Sequence, residues 1–172
     1  MPTLHTPRLL LRSFATEDLE QMAELMADKD FMRFSFGVFS RERTAEFLEK
    51  MRARDRANLP SQFGVISRED NRLIGYCGFF SQTVDDIEEL EIGYRIDPAY
   101  WGRGLATEAA RAVRDHGFHE LQLSRLISLI HLENLASRRV AEKNGMTPEK
   151  ETVFRGFPTI VFGAHPAERN GR

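Results

Sequence analysis

Apolar and polar positions change rhythm along this chain, and the changes mark its elements. Leu90, Ile92, Tyr94 and Ile96 alternate with polar neighbours, the period of a strand with one face inward, and the run stops at Asp97-Pro98. Leu19, Met22, Ala23 and Met26 recur at helical spacing behind Thr16, the expected N-cap, with Glu17 and Asp18 in the first turn. Ser40 caps a second helix whose apolar side is Phe47, Leu48 and Met51. The charged run Arg52–Arg56 is its solvated end, and Asn58-Leu59-Pro60 stops it. Arg8–Arg12, Gln62–Ser67, Leu73–Phe80 and Arg125–His131 read as further strands. Arg68-Glu69-Asp70-Asn71 is a hairpin turn, and Ser81–Ile87 is a loop into the central strand.

A helix opens at about Leu105. Another opens at Asn134, runs through Ala136, Val140 and Lys143, and ends at Asn144-Gly145. Two closing strands, Glu149–Phe154 and Thr159–Ala164, meet near Gly156-Phe157-Pro158, and the tail from Pro166 is polar and frayed. The order β-α-α-β-β-β-α-β-α-β-β predicts a mostly antiparallel sheet with helices on both faces. Its one parallel pair joins the central strand to Arg125–His131 across a helix.

Composition narrows the classes. The 172 residues suit one domain, 1–172, and 41% apolar with 29% charged residues is ordinary for a globular chain. A net charge of −2 argues against a general nucleic-acid binder. No apolar run approaches a membrane span, and the first residues lack a signal-peptide core. One cysteine, Cys77, excludes an internal disulfide, so a cytoplasmic location is the default expectation.

The chemistry concentrates in Trp101-Gly102-Arg103-Gly104, between the central strand and the helix at Leu105. A helix start offers unpaired N–H groups and partial positive charge, and glycines let a phosphate approach the backbone. A Walker loop is ruled out because no Lys-Ser/Thr follows Gly104. The dinucleotide fingerprint fails at Thr107.

With Thr6-Pro7-Arg8-Leu9-Leu10-Leu11-Arg12 at the start, Glu91-Ile92-Gly93-Tyr94 in the strand, Trp101 to Ala109 in the loop and Asn134…Ser137…Glu142-Lys143…Gly145-Met146 later, the whole chain resembles the GNAT acetyl-CoA-dependent N-acetyltransferases. The RimJ/RimL-like branch is the nearest in pattern. The resemblance implies the GNAT acyl-CoA N-acyltransferase fold, an α/β (α+β) mixed sheet with a splayed parallel pair. It implies that the amides of Gly102, Arg103, Gly104, Leu105, Ala106 and Thr107 hold the pyrophosphate of acetyl-CoA. The backbone of Tyr94, Arg95 and Ile96 is expected to pair with the pantetheine arm like an added strand, opened by a bulge at Gly93. Asn134 is expected on the cofactor arm or as a helix cap, and Ser137 beside it. Arg138 and Lys143 stand near the phosphates or on solvated surface. Many relatives carry a tyrosine acid seven residues after the asparagine; here Ala141 stands there, which leaves Ser137, Tyr94 or water.

The implied reaction is attack by a neutral amine on a thioester, with a backbone N–H near Ile96 receiving the developing charge. At pH 7 an α-amine is roughly 10% neutral and a lysine about 0.04%, so a terminal amine needs less of a base. Glu91 is the candidate base, its pKa raised by Glu89 on the same strand face, or else it is ion-paired. Glu108 stabilises the helix start. His116 and His119 could share a metal but lack a third ligand, so no metal is expected. Phe31, Phe34, Phe36 and Phe39 form a loop over the core or the wall of a substrate pocket. Asp85, Asp86, Glu88 and Glu89 would suit a cationic acceptor. The acceptor is a protein N-terminus or a small-molecule amine such as an antibiotic, polyamine or amino-acid derivative. A non-catalytic acyl-CoA-binding module is the alternative, and relatives often pair as homodimers.

Overall fold

The computed structural model describes residues 1–167, so the expected frayed tail lies outside the described residues beyond Ala167. The strands are β1 (Leu4–His5), β2 (Leu9–Arg12), β3 (Gln62–Ser67), β4 (Leu73–Val84), β5 (Ile87–Ile96), β6 (Leu126–His131), β7 (Thr147–Phe154) and β8 (Phe157–Ala164). The helices are α1 (Leu19–Ala27), α2 (Arg41–Arg56), α3 (Leu105–His119) and α4 (Leu135–Lys143). One sheet runs β1-β2-β3-β4-β5-β6-β8-β7. Only β5 and β6 are parallel, as the crossover through α3 requires.

Both faces of the sheet are apolar because both are covered. Leu9, Leu11, Phe63, Cys77, Phe79, Ile92 and Ile96 meet Leu105, Ala109 and Val113 of α3. On the other face Ile66, Leu73 and Tyr76 meet Met22 and Met26 of α1 and Leu48 and Met51 of α2. Ser40 caps α2 by accepting the Arg43 N–H at 3.2 Å.

Several local expectations are corrected. Thr16 opens a single 3-10 turn, not α1; the carboxylate of Asp18 gathers that corner, accepting from Ala15 N–H at 2.7 Å and from Arg12 at 2.7 and 2.8 Å. The expected loop Ser81–Ile87 is strand: β4 continues to Val84, and only Asp85 and Asp86, at φ 49° and 64°, make the turn. Positive φ at both central residues is the hairpin turn that matches strand twist, and Asp tolerates it. Ser81, Gln82 and Thr83 pair with Leu90, Glu89 and Glu88; their polar side chains hid the strand.

Gly93 makes no bulge in the β4–β5 ladder, which runs without a register shift. Its missing side chain serves a contact: a Cβ there would lie 2.8 Å from the Phe80 ring. Register shifts fall elsewhere, between β7 and β8 at Pro148–Lys150 and between β3 and β4, where Val65 faces Gly75 and Ile66 faces Leu73. Gly75, at φ +148°, sits where a Cβ would collide with the carbonyl of Arg95.

Candidate active site

β5 and β6 share a single rung, Glu91 with Ile127, and then part. Beyond it the backbone of β5 looks into a gap. The Asp97 N–H donates to Ile74 at 2.7 Å, which fixes the antiparallel register so that Glu91, Gly93 and Arg95 spend their peptide groups on β4. Ile92, Tyr94 and Ile96 therefore present theirs to the gap. Two side-chain bonds mark that direction: Ser128 Oγ donates to the Ile92 carbonyl at 2.9 Å, and Trp101 Nε1 donates to the Ile96 carbonyl at 2.7 Å. A groove of about 890 Å³ passes through the gap and is lined from both sides of the sheet.

On the α3–α4 side lies the glycine turn. Gly102 and Gly104 have φ +73° and +77°, which favour glycine. Gly104 is the N-cap of α3 with no side chain to cap it, and the first intrahelical bond is Glu108 N–H to Gly104 at 3.1 Å. The amides of Leu105, Ala106 and Thr107 precede that bond, so the helix start keeps free donors at the groove. Glu108 anchors the turn, as expected. It accepts from Thr6 Oγ1 at 2.6 Å, Arg8 N–H at 2.8 Å and Arg8 Nε at 2.7 Å. Burial raises its pKa, but these donors together bring it below the usual range. The Arg103 guanidinium pairs with Glu69, and its carbonyl accepts from Arg8 Nη1 at 2.8 Å. Arg8 is thus a second cation at the turn, read in the sequence only as strand.

Asn134 caps α4, accepting the Ser137 N–H at 3.1 Å. The Tyr94 hydroxyl donates to the Ser137 carbonyl at 3.2 Å, so Tyr94, Asn134 and Ser137 meet where β5 faces α4. Burial raises the pKa of Tyr94 and keeps it protonated. Ala141 is buried against Ile130 and Met146. Lys143 and Arg139 line the groove, whereas Arg138, singled out in the sequence, does not; Arg139 was missed although it stands four residues before Lys143.

The α1–α2 side holds Glu91 and Arg95. Glu91 Oε2 accepts from Gln82 Nε2 at 2.6 Å, and Gln82 Oε1 accepts from Arg155 at 3.0 Å. Arg155 can only donate, so the Gln82 amide has one orientation and presents N–H to Glu91. Desolvation raises the pKa of Glu91 against the opposing pull of Gln82, the Leu129 N–H, Arg155 and Arg95. The cause is burial, not the expected repulsion from Glu89, whose carboxylate is held by Arg125 at 3.1 Å. Glu91 itself is in no ion pair among the described residues. Arg95 is turned away from the cofactor turn, and its Nη1 holds the carbonyls of Phe31 and Arg33 at 2.9 and 2.8 Å.

The phenylalanine loop divides between the core and the groove. Phe31 is core, packed against Tyr76. Phe34 reaches over the sheet to His131, 5.2 Å between rings, and Phe36 to Phe157 at 5.3 Å, roofing the groove. Three of the four acidic residues expected to suit a cationic acceptor are held by other groups. Asp85 holds Lys150 and Thr152, Glu88 accepts from Thr83, and Glu89 pairs with Arg125. His116 packs its ring against Phe63 at 6.1 Å and Phe79 at 6.4 Å, so it serves the core. Cys77 is buried, which raises its thiol pKa and makes it a small apolar residue. No helix among the described residues is long and apolar enough to cross a membrane.

A splayed parallel pair with a glycine turn at the following helix agrees with sequence comparison. The Acetyltransferase (GNAT) domain family matches residues 8–147, and the chain belongs to it. Uncharacterized N-acetyltransferase YnaD of Bacillus subtilis (strain 168) is 34% identical over 145 residues, 84% of this chain and 82% of that protein. The crystal structure of a GNAT-family acetyltransferase from Bacillus anthracis superposes with a TM-score of 0.80 at 31% identity, covering 95% and 98% of the two chains. The Mycobacterium smegmatis RimJ structure, in complex with CoA-disulfide, shares the fold at a TM-score of 0.80 and 19% identity, covering 99% and 88%. The protein is an acyltransferase of the N-acetyltransferase class; enzymes of this family use acetyl-CoA and an amine acceptor.

Proposed function

We propose that this chain carries the acetyl group of acetyl-CoA to the α-amine of a small molecule. One observation carries the reading: the inward-facing backbone of Tyr94 and Ile96 and the carboxylate of Glu91 meet on one gap, entered from opposite faces of the sheet. The residues fit the donor. The amides of Leu105 to Thr107, with Arg103 and Arg8 beside them, suit a pyrophosphate. The peptide groups of Tyr94 suit an arm laid along β5 like an added strand. Asn134, already a cap, keeps its amide N–H₂ free for the same arm.

When bound, acetyl-CoA supplies an activated acyl carbon. Glu91 takes the ammonium proton, directly or through water, and the amine then forms an N–C bond as the C–S bond breaks. The Ile96 N–H donates to the oxygen that gains charge. That N–H shares its peptide plane with the Arg95 carbonyl, which is spent on β4, and Trp101 holds the next plane through the Ile96 carbonyl, so both are set before substrate arrives. The hydroxyls of Tyr94 and Ser137 are the groups beside α4 that can return a proton to the thiolate.

The roof of Phe34 and Phe36 favours a small molecule over a protein N-terminus, because a polypeptide would have to part those ring contacts. The test is thiol release from acetyl-CoA across small amines and free-N-terminus peptides, beside calorimetric binding of acetyl-CoA. Release with small amines supports the reading. Binding without release from any acceptor would sink it.

A further inference from the structure

The charges around the acceptor half of the groove are lopsided in a chain whose net charge is −2. Arg33, Arg43, Lys50, Arg54, Arg95 and Arg155 line it, against two acids, Asp30 and Glu91. None of the six cations is in an ion pair among the described residues. The arginines of α2 that point elsewhere are paired: Arg41 with Glu20, and Arg52 and Arg56 with Glu49. Arg43, Lys50 and Arg54 fall with Phe47 on one stripe of α2 at spacings of four, three and four. Two of them, Arg43 and Arg54, are held by neutral partners that leave their charge in place. Arg43 lies over the Phe39 ring at 4.0 Å, and Arg54 donates to Pro60 and Ser81 at 2.9 and 3.1 Å. Between the cations stand Phe34, Phe36, Phe80 and Phe157.

A polyamine would meet two carboxylates and six like charges there. We propose that the acceptor is an amino acid with an apolar side chain and a free carboxylate, the amine at Glu91, the carboxylate between Arg95 and Arg155, and the side chain against the phenylalanines; this rests on the acetyl-transfer reading above. The spacing of the ligand makes the assignment specific. An α-carboxylate sits one carbon from its amine, so its cation must stand beside the base. Arg155 does so through Gln82. Arg95 lies four residues along the same strand face, with Nε and Nη2 beyond the two carbonyls that its Nη1 holds. The remaining cations draw the anion in from solvent.

The test compares matched acceptors on the intact protein. Thiol release is followed with phenylalanine, leucine and methionine, each beside its amide and its decarboxylated amine, and with spermidine and a tetrapeptide beginning with phenylalanine. The amides are less basic and start with more neutral amine, so an advantage for the free acids cannot come from deprotonation. We expect the acids to lead in kcat/KM by about tenfold or more, and Arg95→Gln to remove most of that lead by raising KM for the acids while the amides change little. Should Arg95→Gln loosen the roof, salt provides a second reading. Added NaCl screens the exposed arginines and raises KM for the acids alone. An amide, spermidine or the peptide equalling the acids overturns this inference and leaves acetyl transfer standing. Calorimetric binding of acetyl-CoA with no release from any acceptor overturns both.

Discussion

Replacing Glu91 by Gln separates a base from a structural carboxylate. The substitution keeps the side chain's shape, and its amide oxygen can still accept from Gln82, so no cavity opens. Loss of a general base costs 10²–10⁴-fold, about 3–5 kcal/mol of transition-state stabilisation. For the amide acceptors, whose α-amine pKa lies near 8, the neutral fraction rises from roughly 10% at pH 7 to about 90% at pH 9. The deficit of the variant should therefore shrink about ninefold over that interval; a lysine-type amine would give roughly a hundredfold.

Stability moves the other way. Burial holds the folded pKa of Glu91 above its ordinary 4.5, so folding is opposed as the group ionises. The wild-type protein loses that contribution as pH rises through the folded pKa, and the variant does not. Glu91→Gln should gain stability relative to wild type between pH 4 and pH 7, measured by urea unfolding, while kcat/KM from thiol release falls. Unchanged turnover at pH 7 would refute the role of base. A fall in stability at pH 7 would show that the carboxylate holds the fold.

Trp101→Phe keeps a ring but loses the bond to the Ile96 carbonyl, worth about 1 kcal/mol net; kcat should fall several-fold with little change in Tm, and an unchanged kcat would show that holding the Ile96 carbonyl does not position its N–H. Glu108→Ala strips the acceptor of three donors and should cost about 2–4 kcal/mol in urea unfolding, discounted because Arg8 is half exposed. Because the pKa of Glu108 is lowered in the fold, its contribution is present above the ordinary 4.5 and is lost as pH falls through the folded value; wild type and variant should converge in acid. Gly93→Ala drives a methyl into the Phe80 ring and should cost about 1–3 kcal/mol. It should also raise KM for the acceptor while calorimetry shows acetyl-CoA binding unchanged.

Periodicity found the strands and helices that bury an apolar face, because burial is what sets the period. β5 is visible through Leu90, Ile92, Tyr94 and Ile96, and α3 through Leu105, Ala109 and Val113. It failed where strands carry polar residues on both sides, as at Ser81–Thr83. The glycine turn was legible because φ near +75° is a backbone demand that sequence records directly. Glu91 was legible as a carboxylate on the central strand, but its environment was not: Arg155 comes from the β7–β8 turn and Gln82 from β4. The acceptor half was misjudged for the same reason. The acidic hairpin looked available until Lys150 and Arg125 appeared beside it, and of the run Arg52–Arg56, read as a solvated end, Arg54 turns inward onto Pro60 and Ser81 while Arg52 and Arg56 pair with Glu49.

The single rung between β5 and β6 gives this sheet two edges more than an open sheet of eight strands requires, and both are internal. An exposed edge is normally a hazard, since its unpaired peptide groups template another chain. Here the opening lies among residues of α3, α4 and the phenylalanine roof, which line it. The amides of Tyr94 and Ile96, at the middle of the sheet, should exchange hydrogen as fast as those of an outermost strand and slow sharply when acetyl-CoA fills the place of the missing neighbour.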